Sequence, residues 1–211
     1  MYTMSTSKRK PAAPGSYHHG DLAEALIAAA TKLMRKKGVA ELSLRAAARA
    51  AGVSAMAPYR HFADKEALLA AVAARGFRAF ARRLRDAGGA ETDPFARLRA
   101  LGPTYVRFAL DHPELFRLMF GPEIADKSRH AELTAAGGDA LAALEEAIRP
   151  CMAGVDAWTE RDVALAAWSI SHGLAALMVD RRLDGGQGDA EAAADRIGRM
   201  LIDGIRARRK D

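Results

Sequence analysis

Between Ser43 and His61 the chain has room for two helices of about two turns each, because Ala51-Gly52-Val53 interrupts any longer one. Ser43 is placed to N-cap the first, over residues 44–50, and Ser54 to N-cap the second, which runs to about His61. A tight turn between them needs a small residue before the glycine and an apolar one after it, and Ala51 and Val53 supply both. Ala47, Ala48 and Ala51 let the two helices approach closely. This is the layout of a helix-turn-helix, whose second helix must cross the first and still project into a groove.

The rest of the chain agrees with an all-α protein. Alanine fills 48 of 211 positions and leucine 21, against 6% aromatics, a mixture that favours helices over sheets. Half the residues are apolar, enough for a buried core, so disorder is excluded as the main state. A first helix starts at Asp21, carries Leu22, Leu26, Ala29 and Leu33 at helical spacing, and ends in Lys36-Lys37-Gly38. Asp64 caps a longer helix with Leu68, Leu69, Val72, Gly76, Phe77, Phe80 and Leu84 on one side, ending at Asp86 before Gly88-Gly89. Asp93-Pro94 opens another, to about Leu110, which Asp111-His112-Pro113 closes. Further helices are expected over 114–120, 129–151, 159–183 and 189–209, the third opened by a Thr159/Asp162 capping pattern. Residues 184–188 read as a flexible connection, and no internal repeat is present. The expected organisation is a flexible basic arm over 1–16, a helix-turn-helix domain over 17–64, a linking helix over 65–86 and a C-terminal domain over 87–211.

Charge divides the chain the same way. Residues 1–86 hold 16 Lys and Arg against 6 Asp and Glu, a net +10, whereas residues 87–211 hold 16 against 20, a net −4. A basic head suits a polyanion, since each cation set on a phosphate releases condensed counterions. A membrane surface is the rival partner, but an interfacial helix wants Trp or Phe at its boundary, and the first 58 residues contain neither. Nucleic acid is therefore the expected partner, double-stranded DNA once the helix-turn-helix layout is added, with the Lys8-Arg9-Lys10 cluster either a solvated tail or a minor-groove arm.

Across residues 20–69 the sequence resembles the TetR/AcrR family of bacterial transcriptional regulators. The stretches HHGDLAEALIAAATKLMRKKG, LSLRAAARAAGVS and PYRHFADKEALL carry the resemblance, with Tyr59, His61-Phe62 and Lys65-Glu66 at the family's spacing after Gly52-Val53-Ser54. Pro58 departs from the pattern of many members; counted from Ser54 it ends the first helical turn, where one lost backbone bond is expected to be tolerated. The resemblance implies that Tyr59, His61 and Lys65 clamp the DNA backbone and that Arg45, Ala55, Met56 and Arg60 face the major groove. There Arg can read guanine, and Ala or Met can meet a thymine methyl. Ser43 and Ser54, with the helix ends they cap, are expected to donate to phosphates, and Leu44 is counted with the same set. Each residue also has a bland reading: a packed His61, a solvated Arg45, a core Met56.

Beyond Leu84 the likeness thins to one feature. Trp168, His172 and Gly173, preceded by FALDHPELFRLMF, resemble the Trp-His-Gly class of TetR-type C-terminal domains. On a helix Trp168 and His172 share a face, and Gly173 admits a close neighbour. A sensor domain would leave a cavity for an apolar or aromatic small-molecule effector among Tyr105, Phe108, Phe116, Met119, Phe120, Trp168, His172 and Met178, although such residues also serve as plain core. The resemblance further implies a homodimer through the last two helices, and hence a pseudo-palindromic operator. The expected function is a ligand-responsive regulator, a repressor released by its effector.

Other classes fit less well. A helical-bundle enzyme would need an acid/base pair or a metal set such as Glu followed three residues later by His, and none is found. A protein-binding adaptor has no use for the basic head. His18-His19 precede a helix, but adjacent side chains point apart and no further ligands stand nearby, so phosphate contact or plain solvent exposure is expected rather than metal. No cofactor is expected. The single cysteine, Cys151, suits a reducing compartment. No apolar run follows the basic N-terminus, where Met4 is an alternative start to Met1, so a cytoplasmic protein is expected. Residues 163–179 lack charge but include Ser169, Ser171, His172 and Gly173, and read as a buried helix rather than a membrane span.

Overall fold

The computed structural model describes residues 19–183 and 189–209; the basic arm, His18, and the connection at 184–188 lie outside them. Eight α-helices form the described part: α1 (His19–Lys37), α2 (Leu44–Ala50), α3 (Lys65–Gly89), α4 (Pro94–Asp111), α5 (Pro113–Phe120), α6 (Ala131–Ile148), α7 (Glu160–Val179) and α8 (Ala190–Arg206). The only β pairing among the described residues is one isolated bridge between Val155 and Arg209.

Local chemistry sets most of the boundaries. Leu26, Ala30 and Met34 recur every four residues and are buried, so α1 turns one stripe inward, and Gly38 ends it at φ +78°. Oxygens of Ser43, Asp64, Asp93 and Thr159 accept the N–H three residues on and start α2, α3, α4 and α7. At Thr159 the Asp162 carboxylate accepts the return bond from the Thr159 N–H at 2.9 Å, completing the capping box. α2 closes with the Val53 N–H on the Ala48 carbonyl and the Gly52 N–H on Arg49. That pair of bonds needs a left-handed residue, and Gly52 supplies it at φ +72°.

Several expectations are corrected. The segment after Ser54 forms no α-helix, and Ser54 does not cap; a single 3₁₀ turn spans Ala57–Arg60. Pro58 has no N–H to give the Ser54 carbonyl, so that oxygen takes the Ala57 N–H at 3.0 Å, and Tyr59 bonds back to Met56 at 3.3 Å. α3 runs through Gly88-Gly89 rather than stopping at Asp86. Gly88 lets it lie against α4, since a Cβ there would sit 3.1 Å from Arg97 Cγ and 3.3 Å from Leu101 Cδ1. α6 gives way at Arg149 to a 3₁₀ turn, Arg149–Met152, because Pro150 cannot continue the α-helical ladder. α7 ends at Val179, short of 183, with Arg181 left-handed at φ +53°.

α1, α2, the 3₁₀ turn and the start of α3 enclose Leu26, Met34, Leu42, Leu44, Phe62 and Leu68 and make the head. α3 spans about 37 Å and continues into the body, where it packs on α4, α5 and α6. A second core of Phe95, Leu98, Ile148, Met152, Val163 and Ile205 closes the far end. α7 is apolar and long enough, by length and composition, to cross a membrane. Here it packs against α4, α6 and α8, and the expectation of a buried helix holds for one face only: Leu165 is 57% exposed.

Candidate DNA-binding face and ligand cavity

The head presents a cationic, partly apolar surface. Ser43 Oγ accepts the Ala46 N–H at 3.1 Å, which leaves the N–H groups of Leu44 and Arg45 directed out of the end of α2. The Arg45 and Arg49 side chains are exposed on α2, and the 3₁₀ turn packs beside it. Ser54, Ala55, Met56, Tyr59 and Arg60 are exposed there, Met56 at 68% and Tyr59 at 44%. His61 is half-buried with its ring 6.4 Å from that of Phe62. The half-buried Lys65 gives its ammonium to the Ala40 carbonyl at 3.4 Å, tying α3 to the loop before α2. Leu44 is a correction: its side chain is 5% exposed and belongs to the core, so only its N–H can meet a partner. Arg49 carries no signal in the sequence, where it reads as an ordinary last-turn cation. An exposed Met and Tyr among four cations is a surface whose apolar groups can meet base methyls while its charges meet phosphates.

In the body, a cavity of about 470 Å³ lies between α3, α4, α5, α6 and α7. α3 supplies Phe77, Phe80 and Leu84, α4 Leu101 and Tyr105, α5 Met119 and Phe120, α6 Leu133, Gly137, Gly138 and Leu144, and α7 Trp168 and Ser171. Lys127 and Ser128, from the 3₁₀ turn Lys127–Arg129, stand at one side. Of the eight residues expected around an effector, Tyr105, Met119, Phe120 and Trp168 line this space. Phe108 lines a separate groove of about 400 Å³ between α1, α3 and the α4–α5 corner. Phe116 and His172 pack into an aromatic cluster behind the cavity, with rings 5.3 Å apart, and Met178 packs on the main core.

Electrostatics in this region follow from burial. Tyr105 Oη lies 2.9 Å from His172 Nδ1. Burial holds the Tyr105 phenol far above its usual range and pushes the His172 imidazole below its own, so both are neutral at pH 7. Tyr105 Oη and His172 Nδ1 thus share a hydrogen bond between two neutral groups. Burial also lowers the Lys127 ammonium, which donates to the Met119 carbonyl at 2.9 Å. Gly173 was expected to admit a close neighbour, but a Cβ there would meet nothing within 4 Å in this chain. Trp168 and His172 do share a face, with ring centroids 6.4 Å apart. No group of three His, Cys, Asp or Glu among the described residues is placed to hold a metal.

The wall residues of α3 and α6 are hidden from a sequence reading. Phe77, Phe80 and Leu84 look like the core side of a linking helix, and nothing marks Lys127. The one signal is Gly137-Gly138 inside a helix where alanine would be cheaper.

Comparison with known proteins agrees with this architecture. Residues 26–72 match the family model for bacterial regulatory proteins of the tetR family, and residues 98–201 that for the tetracyclin repressor-like C-terminal domain. No curated protein matches the chain. Among solved structures, a protein of unknown function from Rhodococcus sp. RHA1 is 34% identical, with 90% of this chain and 98% of that one covered and a TM-score of 0.78. FadR from Bacillus subtilis, solved in complex with stearoyl-CoA, is 13% identical over 86% of this chain and 98% of its own, with a TM-score of 0.70. The TetR family regulator PfmR from Thermus thermophilus is 21% identical over 84% and 97%, with a TM-score of 0.60.

Proposed function

The chain belongs to the TetR family of bacterial transcriptional regulators, and from that premise we propose that it is a repressor, not an enzyme, that binds a pseudo-palindromic operator as a homodimer and leaves it when a small molecule fills the cavity. The observation that carries this reading is α3. Its first residue, Lys65, stands on the DNA face, and three turns on Phe77 and Phe80 wall the cavity, so one rigid rod touches both sites. The working division is the one drawn from the sequence: reading head at 17–64, linking helix at 65–86 and sensor at 87–211.

On DNA, Arg45, Met56, Ala55 and Arg60 face base edges, while Tyr59, His61, Lys65, Ser43 and Ser54 hold phosphates. A second route joins the sites. The cavity-lining turn Lys127–Arg129 leads directly to His130, whose Nε2 lies 3.2 Å from Glu66 Oε1 in the first turn of α3, beside Lys65. A ligand that displaces this turn shifts the start of α3 and with it the reading head. Such a ligand acts only in so far as it prefers the shifted state.

Support for the dimer comes from the exposed apolar side chains on α7 and α8: Leu165, Trp168 and Leu177, and Met200 at 74% exposure. A two-fold pairing of these helices buries them together with the open backbone at Gly173. The apolar cavity walls suit an apolar or aromatic effector, and the fold is shared with FadR from Bacillus subtilis, which was solved with stearoyl-CoA.

The test is fluorescence anisotropy on an operator recovered by selection, with and without candidate carboxylates and acyl-CoA thioesters. Release of the wild type, and no binding by a Tyr59→Ala/Lys65→Ala double variant, is the expected result. Unchanged DNA affinity with a ligand shown to be bound removes the induction model.

A further inference from the structure

We propose that the cavity takes an amphipathic carboxylate of roughly fifteen non-hydrogen atoms, its apolar body against Phe77, Phe80, Phe120 and Leu144 and its carboxylate on the Lys127 ammonium. This rests on reading the cavity as the effector site.

Size comes first. At about 30 Å³ for each water-sized group, a cavity of about 470 Å³ holds roughly fifteen such groups. A medium-chain or aryl-substituted acid fills it, and the nucleotide part of a thioester would have to lie outside it. Among the described residues, Lys127 is the only charged one lining the space. Its one hydrogen bond goes to the Met119 main-chain carbonyl, and Glu123 attracts it without forming an ion pair. An ammonium has three donors, so two remain for a ligand. A half-buried cation satisfied by a single neutral carbonyl gains from a carboxylate more than a solvated surface lysine would, because its hydration is already partly lost. A cationic ligand would meet repulsion there, and a neutral one would leave the ammonium as it is.

The turn that carries Lys127 is also held in place. Asp126 accepts the Ser128 N–H at 3.0 Å, and the Thr134 hydroxyl donates to the Lys127 carbonyl at 3.1 Å. These bonds brace the backbone on either side of Lys127, and the charge itself is left to select the ligand. At the far side the Tyr105 hydroxyl is paired with His172. This leaves the ammonium as the strongest uncommitted donor in the cavity.

The probes are decanoate, decanol and decanoyl-CoA, titrated calorimetrically into the full-length protein at pH 7.5 without DNA. The wild type is expected to bind decanoate about tenfold more tightly than decanol, the size of one partly buried charge-assisted bond, and more tightly than decanoyl-CoA. Lys127→Met should keep decanol binding and lose the preference for the acid, whereas Lys127→Arg should keep it. Retained decanol binding shows that the Met variant is folded. Equal affinity of the wild type for acid and alcohol, tighter binding of the thioester, or no binding of any probe overturns the proposal. Because DNA is absent, decanoate that binds through Lys127 yet fails to release an operator sinks the induction model and leaves this assignment standing.

Discussion

Gly137 offers the sharpest test that the space in the body is real and is the ligand site. It lies within α6, lines the cavity, and a Cβ built there meets nothing within 4 Å. Gly137→Ala removes the entropy cost of a mid-helix glycine without a clash, which stabilises by about 1 kcal/mol. For a chain of this size that raises the melting temperature by roughly 2–4 °C. Gly137→Leu adds four carbons where there is room for roughly fifteen non-hydrogen atoms, and burying that side chain contributes about 1.5–3 kcal/mol against about 0.5–1 kcal/mol of lost rotamer freedom. The leucine variant should therefore melt above the wild type. Decanoate has roughly twelve non-hydrogen atoms, so with four already in place about one carbon too many must go elsewhere, along with the contacts of its neighbours. Losing the burial of one methylene costs about 0.8 kcal/mol, or roughly fourfold in affinity. Differential scanning fluorimetry and calorimetric titration of the same samples read both effects. A leucine variant melting several degrees below the wild type means that the space is not open. A stable one with unchanged decanoate affinity places the ligand elsewhere.

Three further outcomes are expected. Lys65→Ala should weaken binding to every duplex alike and lower the slope of log affinity against log salt by about 1, as measured by anisotropy across a salt series; an unchanged slope removes Lys65 from the phosphate contacts. Leu165→Glu with Met200→Glu places charges on the exposed apolar faces of α7 and α8 and should give a folded monomer in sedimentation equilibrium, while a retained dimer would locate the interface elsewhere. Burial holds His172 below its ordinary value of 6.5, so the unfolded chain takes up this proton first as pH falls. Stability is thus complete above pH 6.5 and declines below it. His172→Gln should flatten part of that decline in urea midpoints measured from about pH 8 to about pH 5. His112, lowered by burial and then by Arg83, contributes with the same sign.

How much of this was legible in the sequence depended on range. The caps at Ser43, Asp64, Asp93 and Thr159, and the left-handed Gly52, were readable because each is settled within about four residues of chain. Pro58 was read correctly as removing one bond, but its effect was underestimated: in a segment this short, one missing N–H decides between an α-helix and a 3₁₀ turn. Leu44 shows the limit of carrying roles over by position, since helical phase turns its side chain into the core while Arg45 beside it points out. The cavity was half legible. Its α4, α5 and α7 walls carry aromatic and Met residues that invite a pocket reading. Its α3 and α6 walls look like any packed interface, because a void is a property of how far apart two helices sit. Lys127 had no sequence signal at all; its importance comes from being the one charge, among the described residues, on an apolar surface assembled from five helices.

The most direct measurement of the central claim, that the segment after Gly52 enters the major groove of a duplex in two symmetry-related copies, is selection of bound fragments from a pool of random DNA, repeated with Met56→Ala. The account predicts an inverted repeat whose half-sites are centred about one helical turn, or a multiple of it, apart, with base preference in the half-site altered by the variant. Recovery of no motif at low salt, or of a motif without two-fold symmetry that is unchanged by the variant, would contradict it.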